Sequence, residues 1–257
     1  MNKSRTDIAV EDMNLGYNYD IDKTIKGMVF KKLTVDKDLS KQINKNEGLY
    51  YNIDNIDYNN YDEELIFIIN SVIQDMIFHL KLENKNLKIL VVGLGNESIT
   101  PDSLGPLVVK KIDVTSHLND KNIKYEISAL IPGVMGKTGL ETSEIVKGMI
   151  NEFLFDLVIV VDALACSVVS RMCHSIQLST AGINPGSGVG NNRKEISKKY
   201  LGVPVIAIGV PTVCDIDVFT DEIDNTFFVT PNNIDEAMIL FSDILSLGIN
   251  MSLKECN

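Results

Sequence analysis

Hydrophobic positions along this chain fall into two regimes. From residue 61, Leu65, Ile66, Ile68, Ile69, Val72, Ile73, Met76, Ile77 and Leu80 recur at spacings of three and four, which predicts one buried face of a helix of about twenty residues. Beyond it, apolar and β-branched runs at 87–92, 125–131, 157–161 and 203–210 alternate with helical segments. These runs lack the polar alternation of half-exposed strands, so they predict strands buried on both faces and βαβ units around a mostly parallel sheet. A last helix is expected over 234–247, with Thr230 and Pro231 as cap and first-turn residues. Residues 1–60 are rich in Asn, Asp, Lys and Tyr, with short β-like pieces around 27–35 and no recognisable chemistry.

Composition narrows the class. The chain has 257 residues, 45% hydrophobic and 23% charged, an ordinary folded balance that excludes a disordered or collagen-like protein. It is long enough to bury a core without a disulfide or metal staple. Thirty-five acidic against 24 basic residues give a net charge of −11, which argues against direct binding to a nucleic-acid backbone. Cys166, Cys173, Cys214 and Cys256 form no CxxC pair, consistent with a reducing compartment. Asp7, Glu11, Asp12 and Asp20 punctuate the first residues, no signal-peptide core is read there, and no stretch approaches the ~20 apolar residues of a membrane span. A cytoplasmic protein with no membrane partner is expected.

Two motifs mislead. Gly93-Leu94-Gly95-Asn96-Glu97-Ser98 follows a strand and starts like a dinucleotide fingerprint, but Ser98 replaces the third glycine. Gly136-Lys137-Thr138 ends like a phosphate loop, yet Ile131 stands where its first glycine belongs. Both are read as tight turns. No GxSxG elbow occurs, and His79, His117 and His174 show no HExxH spacing, which disfavours serine and zinc hydrolases.

Carboxylates at strand ends remain. Asp102 lies in the turn after the strand at 87–92, Asp162 directly follows the strand at 157–161, and Asp215 follows the strand at 203–210. Ligands of open α/β sheets bind outside the carboxyl ends of the strands, so Asp102 and Asp162 can face each other there. Asp102 could also cap a helix beginning at Ser103, and Asp215 reads best as a loop or cap residue. Asp162 sits between Val161 and Ala163-Leu164-Ala165, where an unpaired carboxylate is costly. Two close carboxyls share a proton, which suits general acid and base work in peptide hydrolysis, or they hold a divalent cation. The glycine-rich run 182–191, with Gly186, Gly188 and Gly190, and the turn with Gly133 and Gly136 are candidates for backbone contact with an extended substrate.

Five blocks carry a resemblance: Gly93-Leu94-Gly95-Asn96 with Thr100-Pro101-Asp102 and Leu104-Gly105-Pro106; Pro132-Gly133-Val134-Met135-Gly136; Asp162-Ala163-Leu164-Ala165; the run from Pro185 to Asn191; and the run from Pro204 to Val213. Their order and spacing closely resemble the spore germination protease family, and Arg5-Thr6-Asp7-Ile8-Ala9 resembles its N-terminal motif. The resemblance implies a three-layer α/β/α sandwich similar to hydrogenase maturation proteases. It implies a homotetrameric endopeptidase of the spore core, made as a zymogen, without cofactor or resident metal, that opens small acid-soluble, DNA-coating spore proteins. It places the family's aspartates on Asp102 and Asp162. Family substrates are cut after an acidic residue in a Thr/Ser-Glu-Phe/Ile-Ala context, and Thr6-Asp7-Ile8-Ala9 imitates it, so self-cleavage is expected between Asp7 and Ile8. The corresponding organisation is a propeptide at 1–7, a β/helical appendage packed on the core at 8–86, and a peptidase core at 87–257.

The chain departs from the family at Ser167, where an Arg is usual, and at Thr180-Ala181, where an Asp-Thr pair is usual. It is also shorter than a typical member in residues 1–86 and after Leu247. A changed specificity or weaker activity is therefore expected at these positions. Two alternatives follow: a metal-dependent peptidase of the maturation type with Asp102 and Asp162 as ligands, and a silent relative that binds spore proteins without cutting them.

Overall fold

The computed structural model describes residues 6–12, 19–43, 45–57, 63–82, 86–118, 124–186, 193–215 and 227–254. The apolar runs form strands β4 (Leu87–Gly93), β5 (Tyr125–Leu130), β6 (Leu157–Cys166) and β8 (Val205–Asp215). They lie parallel in the order β5-β4-β6-β8. β4 and β6 are buried along nearly their whole length, as the unbroken apolar runs require.

The N-terminal region continues this same sheet rather than forming a separate layer. β1 (Ile21–Ile25) and β2 (Met28–Val35) make a hairpin, β3 (Gly48–Asp54) pairs with β2, and β7 (Ile176–Ser179) joins β3 to β8, all antiparallel. Two-residue β9 (Phe228–Val229) pairs with the end of β8. The outer edge of β8 presents unpaired backbone groups, and annexing β7 and β3 satisfies them. The result is a mixed sheet whose parallel part is the predicted βαβ core.

Helices cover both faces. On one, α3 (Glu63–His79), α4 (Leu104–Val109) and α8 (Ile234–Leu253) pack on alternate strand residues such as Ile89, Val91, Ile159, Val161, Ile206 and Ile208. α3 buries the eight residues from Leu65 to Ile77 singled out by their spacing. α8 is by length and composition apolar enough to cross a bilayer, contrary to expectation, and 67% of its most apolar window is buried within the protein. It starts at Asn233 without a side-chain cap. Thr230 instead donates its hydroxyl to the Thr212 carbonyl, 2.8 Å away, and so secures β8.

The opposite face divides in two. α6 (Thr142–Phe153) and α7 (Lys198–Leu201) cover Leu90, Val92, Val158 and Val160. The other cluster comprises Ile8, Ala9, Leu33, Val35, Ile43, Tyr50, Leu164, Cys166, Ala181 and Cys214, with α1 (Ala9–Asp12) and α2 (Lys37–Ile43) contributing. Along β6 the two clusters meet between Val160 and Leu164, and strand alternation puts Asp162 on that face at their junction.

Candidate active site

β4 stops where Gly93 pairs with Val161, so Asp162 is the first β6 residue beyond that neighbour. β6 itself continues to Cys166, with Asp162 opposite Gly209 of β8 and a register shift between Leu164 and Ala165. Asp162 is thus within a longer strand than its apolar run implied, beside the opening left by β4. It is 6% exposed, and its Oδ1 accepts the Ala163 N–H at 2.9 Å.

The chain leaving β4 brings Asp102 to the same place. Leu94 N–H donates to the Val161 carbonyl at 2.8 Å, and the chain folds back through a short 3-10 turn, Thr100–Asp102. Gly95 has φ +110°, and a Cβ on it would stand 2.0 Å from the Asp102 carbonyl oxygen. Only glycine permits that approach, which lets Asn96 N–H donate to the Asp102 carbonyl at 3.0 Å and to its carboxylate Oδ2 at 2.9 Å. The Asp102 carboxylate therefore ties its own loop, while α4 begins at Ser103 without a side-chain cap. Gly105 then packs against the strand ends: a Cβ there would lie 2.3 Å from Leu94 O and 2.5 Å from Val161 O. From β8, the Thr212 hydroxyl donates to Pro101 O at 2.7 Å.

Asp102 and Asp162 line one cavity of about 290 Å³, shared with Asp7, Gly95, Gly133, Gly186, Arg193, Thr212 and Phe228. Burial pushes the Asp162 carboxyl well above its ordinary value of 3.8, and the negative charges of Asp102 and Asp7 push it further. Asp102 is raised by burial, with the Asn96 N–H and the Arg193 cation acting in the opposite direction. Both carboxyls are shifted toward the protonated form, Asp162 the more strongly, and a pair of unequal environment can divide acid and base roles.

The N-terminal segment enters this cavity. Asp7 N–H donates to Ala165 O at 2.9 Å, and Ala165 N–H returns a bond to Asp7 Oδ2 at 3.0 Å. Gln177 on β7 accepts the Ala9 N–H at 2.7 Å and donates to Asp7 O at 3.4 Å. Ile8 and Ala9 are 0% and 1% exposed. A second cavity of about 320 Å³, lined by Thr6, Asp7, Ala9, Gln177, Ser179 and Gly182 among others, adjoins the first through Asp7 and Leu164.

Among the glycines singled out from the sequence, Gly133 and Gly186 line the aspartate cavity, whereas Gly136 lies exposed on α5 (Met135–Thr138) and does not. Gly188 and Gly190 lie outside the described residues. Asp215 is buried at the end of β8, opposite Phe228, and is not a lining residue. Thr180 accepts the Leu49 N–H at 2.9 Å, and Ala181 is buried in the cluster around Ile8. Among the described residues no group of three or more His, Cys, Asp or Glu is arranged to hold a metal ion. Arg193 and Gln177 were not anticipated. The signal for Arg193 was its position just after the glycine-rich run; Gln177 lies on a strand too short to show a pattern.

Comparison with known proteins identifies the family. Residues 4–228 match the germination protease family. The germination protease of Clostridium perfringens strain SM101 is 38% identical, over 97% of this chain and 95% of that protein. That of Clostridium acetobutylicum is 36% identical over 99% and 96%, and that of Bacillus subtilis strain 168 is 42% identical over 86% and 66%. The solved [NiFe] hydrogenase maturation protease HycI of Thermococcus kodakarensis aligns with 68% of this chain and 98% of its own at 19% identity and a TM-score of 0.36; the assignment does not rest on it. With the family's match running from the docked N-terminal segment through both aspartates to β9, the chain belongs to the germination protease family.

Proposed function

We propose that this chain is an aspartate-dependent endopeptidase that starts the breakdown of small acid-soluble spore proteins during germination, cutting after an acidic residue. Membership of the germination protease family supports a spore germination endopeptidase. The observation that carries the finer reading is that Asp7, the residue before the expected self-cleavage bond, lines the same cavity as Asp102 and Asp162. Its N–H donates to Ala165 O and its carboxylate accepts the Ala165 N–H at the β6 end, contacts that an acidic residue of an extended substrate could also make.

In this reading Asp162, whose affinity for a proton is raised by burial and by its acidic neighbours, is the general acid. Asp102, less strongly raised and hydrogen-bonded by Asn96, is the base. Asp102 draws a proton from water as its oxygen attacks the scissile carbonyl. Asp162 donates to the carbonyl oxygen, Asp102 passes the proton taken from water to the leaving amine, and as the C–N bond breaks the intermediate's hydroxyl returns its proton to Asp162, restoring both groups. Arg193, near both carboxylates, limits how far their affinity for protons rises.

The test is a peptide containing Thr-Glu-Ile-Ala incubated with the purified chain. Mass spectrometry should find a new terminus at Ile, and the chain's own terminus should move to Ile8. Asp102→Asn and Asp162→Asn should each abolish both cuts; unchanged rates in both variants would overturn the assignment. Activity lost to a chelator and restored by one divalent ion would instead favour the metal-dependent alternative.

A further inference from the structure

Sheet register sets a second polar side chain across from Asp162. Asp162 lies opposite Gly209 of β8, and Gly209 lies opposite Gln177 of β7. Residues directly opposite each other share a face, so Gln177 and Asp162 project on the same side of the sheet, two strand spacings or roughly 10 Å apart at the backbone. Gly209 between them carries no side chain. A Cβ there would stand 2.4 Å from Leu164 Cδ1, so the Leu164 side chain lies over it. Gln177 lines the second cavity, Asp162 the first, and Asp7 and Leu164 line both.

What Gln177 touches gives this placement chemical meaning. Its Oε1 accepts the Ala9 N–H at 2.7 Å. An amide whose oxygen is so engaged turns its NH2 to another partner, and Nε2 donates to Asp7 O at 3.4 Å. Asp7 O is the carbonyl oxygen of the Asp7–Ile8 bond, the bond expected to be cut. Asn52, opposite Gln177 on β3, does not hold the amide: it is 2% exposed, and neither its Oδ1 nor its Nδ2 has a hydrogen-bond partner. A separation of 3.4 Å is long for a bond to a resting carbonyl. A donor raises the rate only where it binds the charged oxygen more tightly than the ground-state carbonyl. As water adds, the oxygen leaves the peptide plane and gains negative charge, and a charge-assisted bond closes to about 2.8 Å.

We propose that Gln177 is a catalytic residue of the endopeptidase: its Nε2 stabilises the negative charge developing on the carbonyl oxygen of the cut bond, while its Oε1 grips the N–H of the second residue beyond that bond. The assignment rests on the endopeptidase reading above. A carbonyl oxygen has two lone pairs, so it takes Gln177 on one side and Asp162 on the other. Gln177 keeps both amide protons throughout, and the proton that reaches the oxygen comes from Asp162. The Ala9 N–H fixes the orientation of the amide before reaction, so the donor is already aimed when charge appears.

Full-length protein is given a flanked Thr-Glu-Ile-Ala peptide over a range of concentrations, and cleavage is followed by mass spectrometry. Gln177→Met removes donor and acceptor at similar size; Gln177→Glu removes the donor and keeps an acceptor. At about pH 8 each should lower kcat at least about 100-fold, the order of loss for one oxyanion donor, and only Gln177→Met should raise KM. As pH falls toward about 5, kcat of Gln177→Glu should recover relative to the parent, because the introduced carboxyl regains a proton to donate. Denaturant unfolding identifies which variants are folded, and Gln177→Glu alone suffices if Gln177→Met is not. A kcat within about tenfold of the parent's in a folded variant, or a ratio of Gln177→Glu to parent that is flat in pH, overturns the assignment and leaves the endopeptidase reading intact. Failure of the unaltered protein to cut the peptide after its acidic residue overturns that reading and this assignment with it.

Discussion

Asp162→Asn exchanges a buried carboxyl for an amide of nearly equal size, and its effect on stability should depend on pH in a way that packing changes do not imitate. In the folded chain burial and the charges of Asp102 and Asp7 hold the Asp162 carboxyl well above 3.8; in the unfolded chain it titrates normally. Between those two values the folded state binds more protons. The stability contributed by this group is whole below the unfolded value and is lost as pH rises through the folded one. One proton of difference amounts to about 1.4 kcal/mol per pH unit, so the Asn variant should gain on the wild type at up to about that rate across the window. Near pH 4 the two proteins should lie within about 1 kcal/mol of each other; at pH 7–8 the variant should be the more stable while cutting no peptide. Denaturant unfolding of both proteins across a pH series measures this. A stability difference that does not change with pH, or a wild type that remains more stable at pH 8, would refute the raised affinity for a proton and its physical cause.

Three further outcomes test the site. Gly95→Ala places a Cβ 2.0 Å from Asp102 O at a φ of +110°; it should cost at least about 1–3 kcal/mol in denaturant unfolding and abolish cleavage, and a variant as stable and active as the parent would contradict the described loop. Arg193→Gln removes the cation that lowers the proton affinity of both carboxyls, so both limbs of the kcat/KM profile should move to higher pH; unmoved limbs would show that Arg193 does not act on the pair. Ile8→Ala empties a fully buried position and should cost about 2–5 kcal/mol, with faster hydrogen exchange at the Asp7 and Ala165 N–H groups; unchanged exchange would mean that Ile8 does not anchor the segment.

How much was legible depended on whether a residue's role was written locally. The three- and four-residue spacing of α3 predicted its buried face because one continuous helix determines it. The four parallel strands were visible because burial on both faces leaves an unbroken apolar run. β3 and β7 were not, since β7 is only four residues long and β3 carries Tyr50, Tyr51, Asn52 and Asp54 in a polar-looking stretch that is nonetheless buried. The cap expected at Thr230 failed for a related reason: its hydroxyl serves a carbonyl 18 residues away on β8 rather than its own helix.

The sequence by itself determined the parallel core and the principal helices and singled out Asp102 and Asp162 as candidates, because apolar periodicity and the place of an acid after a strand are local facts. Tertiary structure decided that Asp7 shares their cavity, that Arg193 and Gln177 face the segment or the site, and that Glu11 meets Ser167 and Arg171. The N-terminal segment meets Ala165, Ser167 and Gln177 across more than 150 residues of chain, and sheet register joins them. Electrostatic and hydrogen-bond energies depend on distance and desolvation in space, which no spacing along the chain encodes.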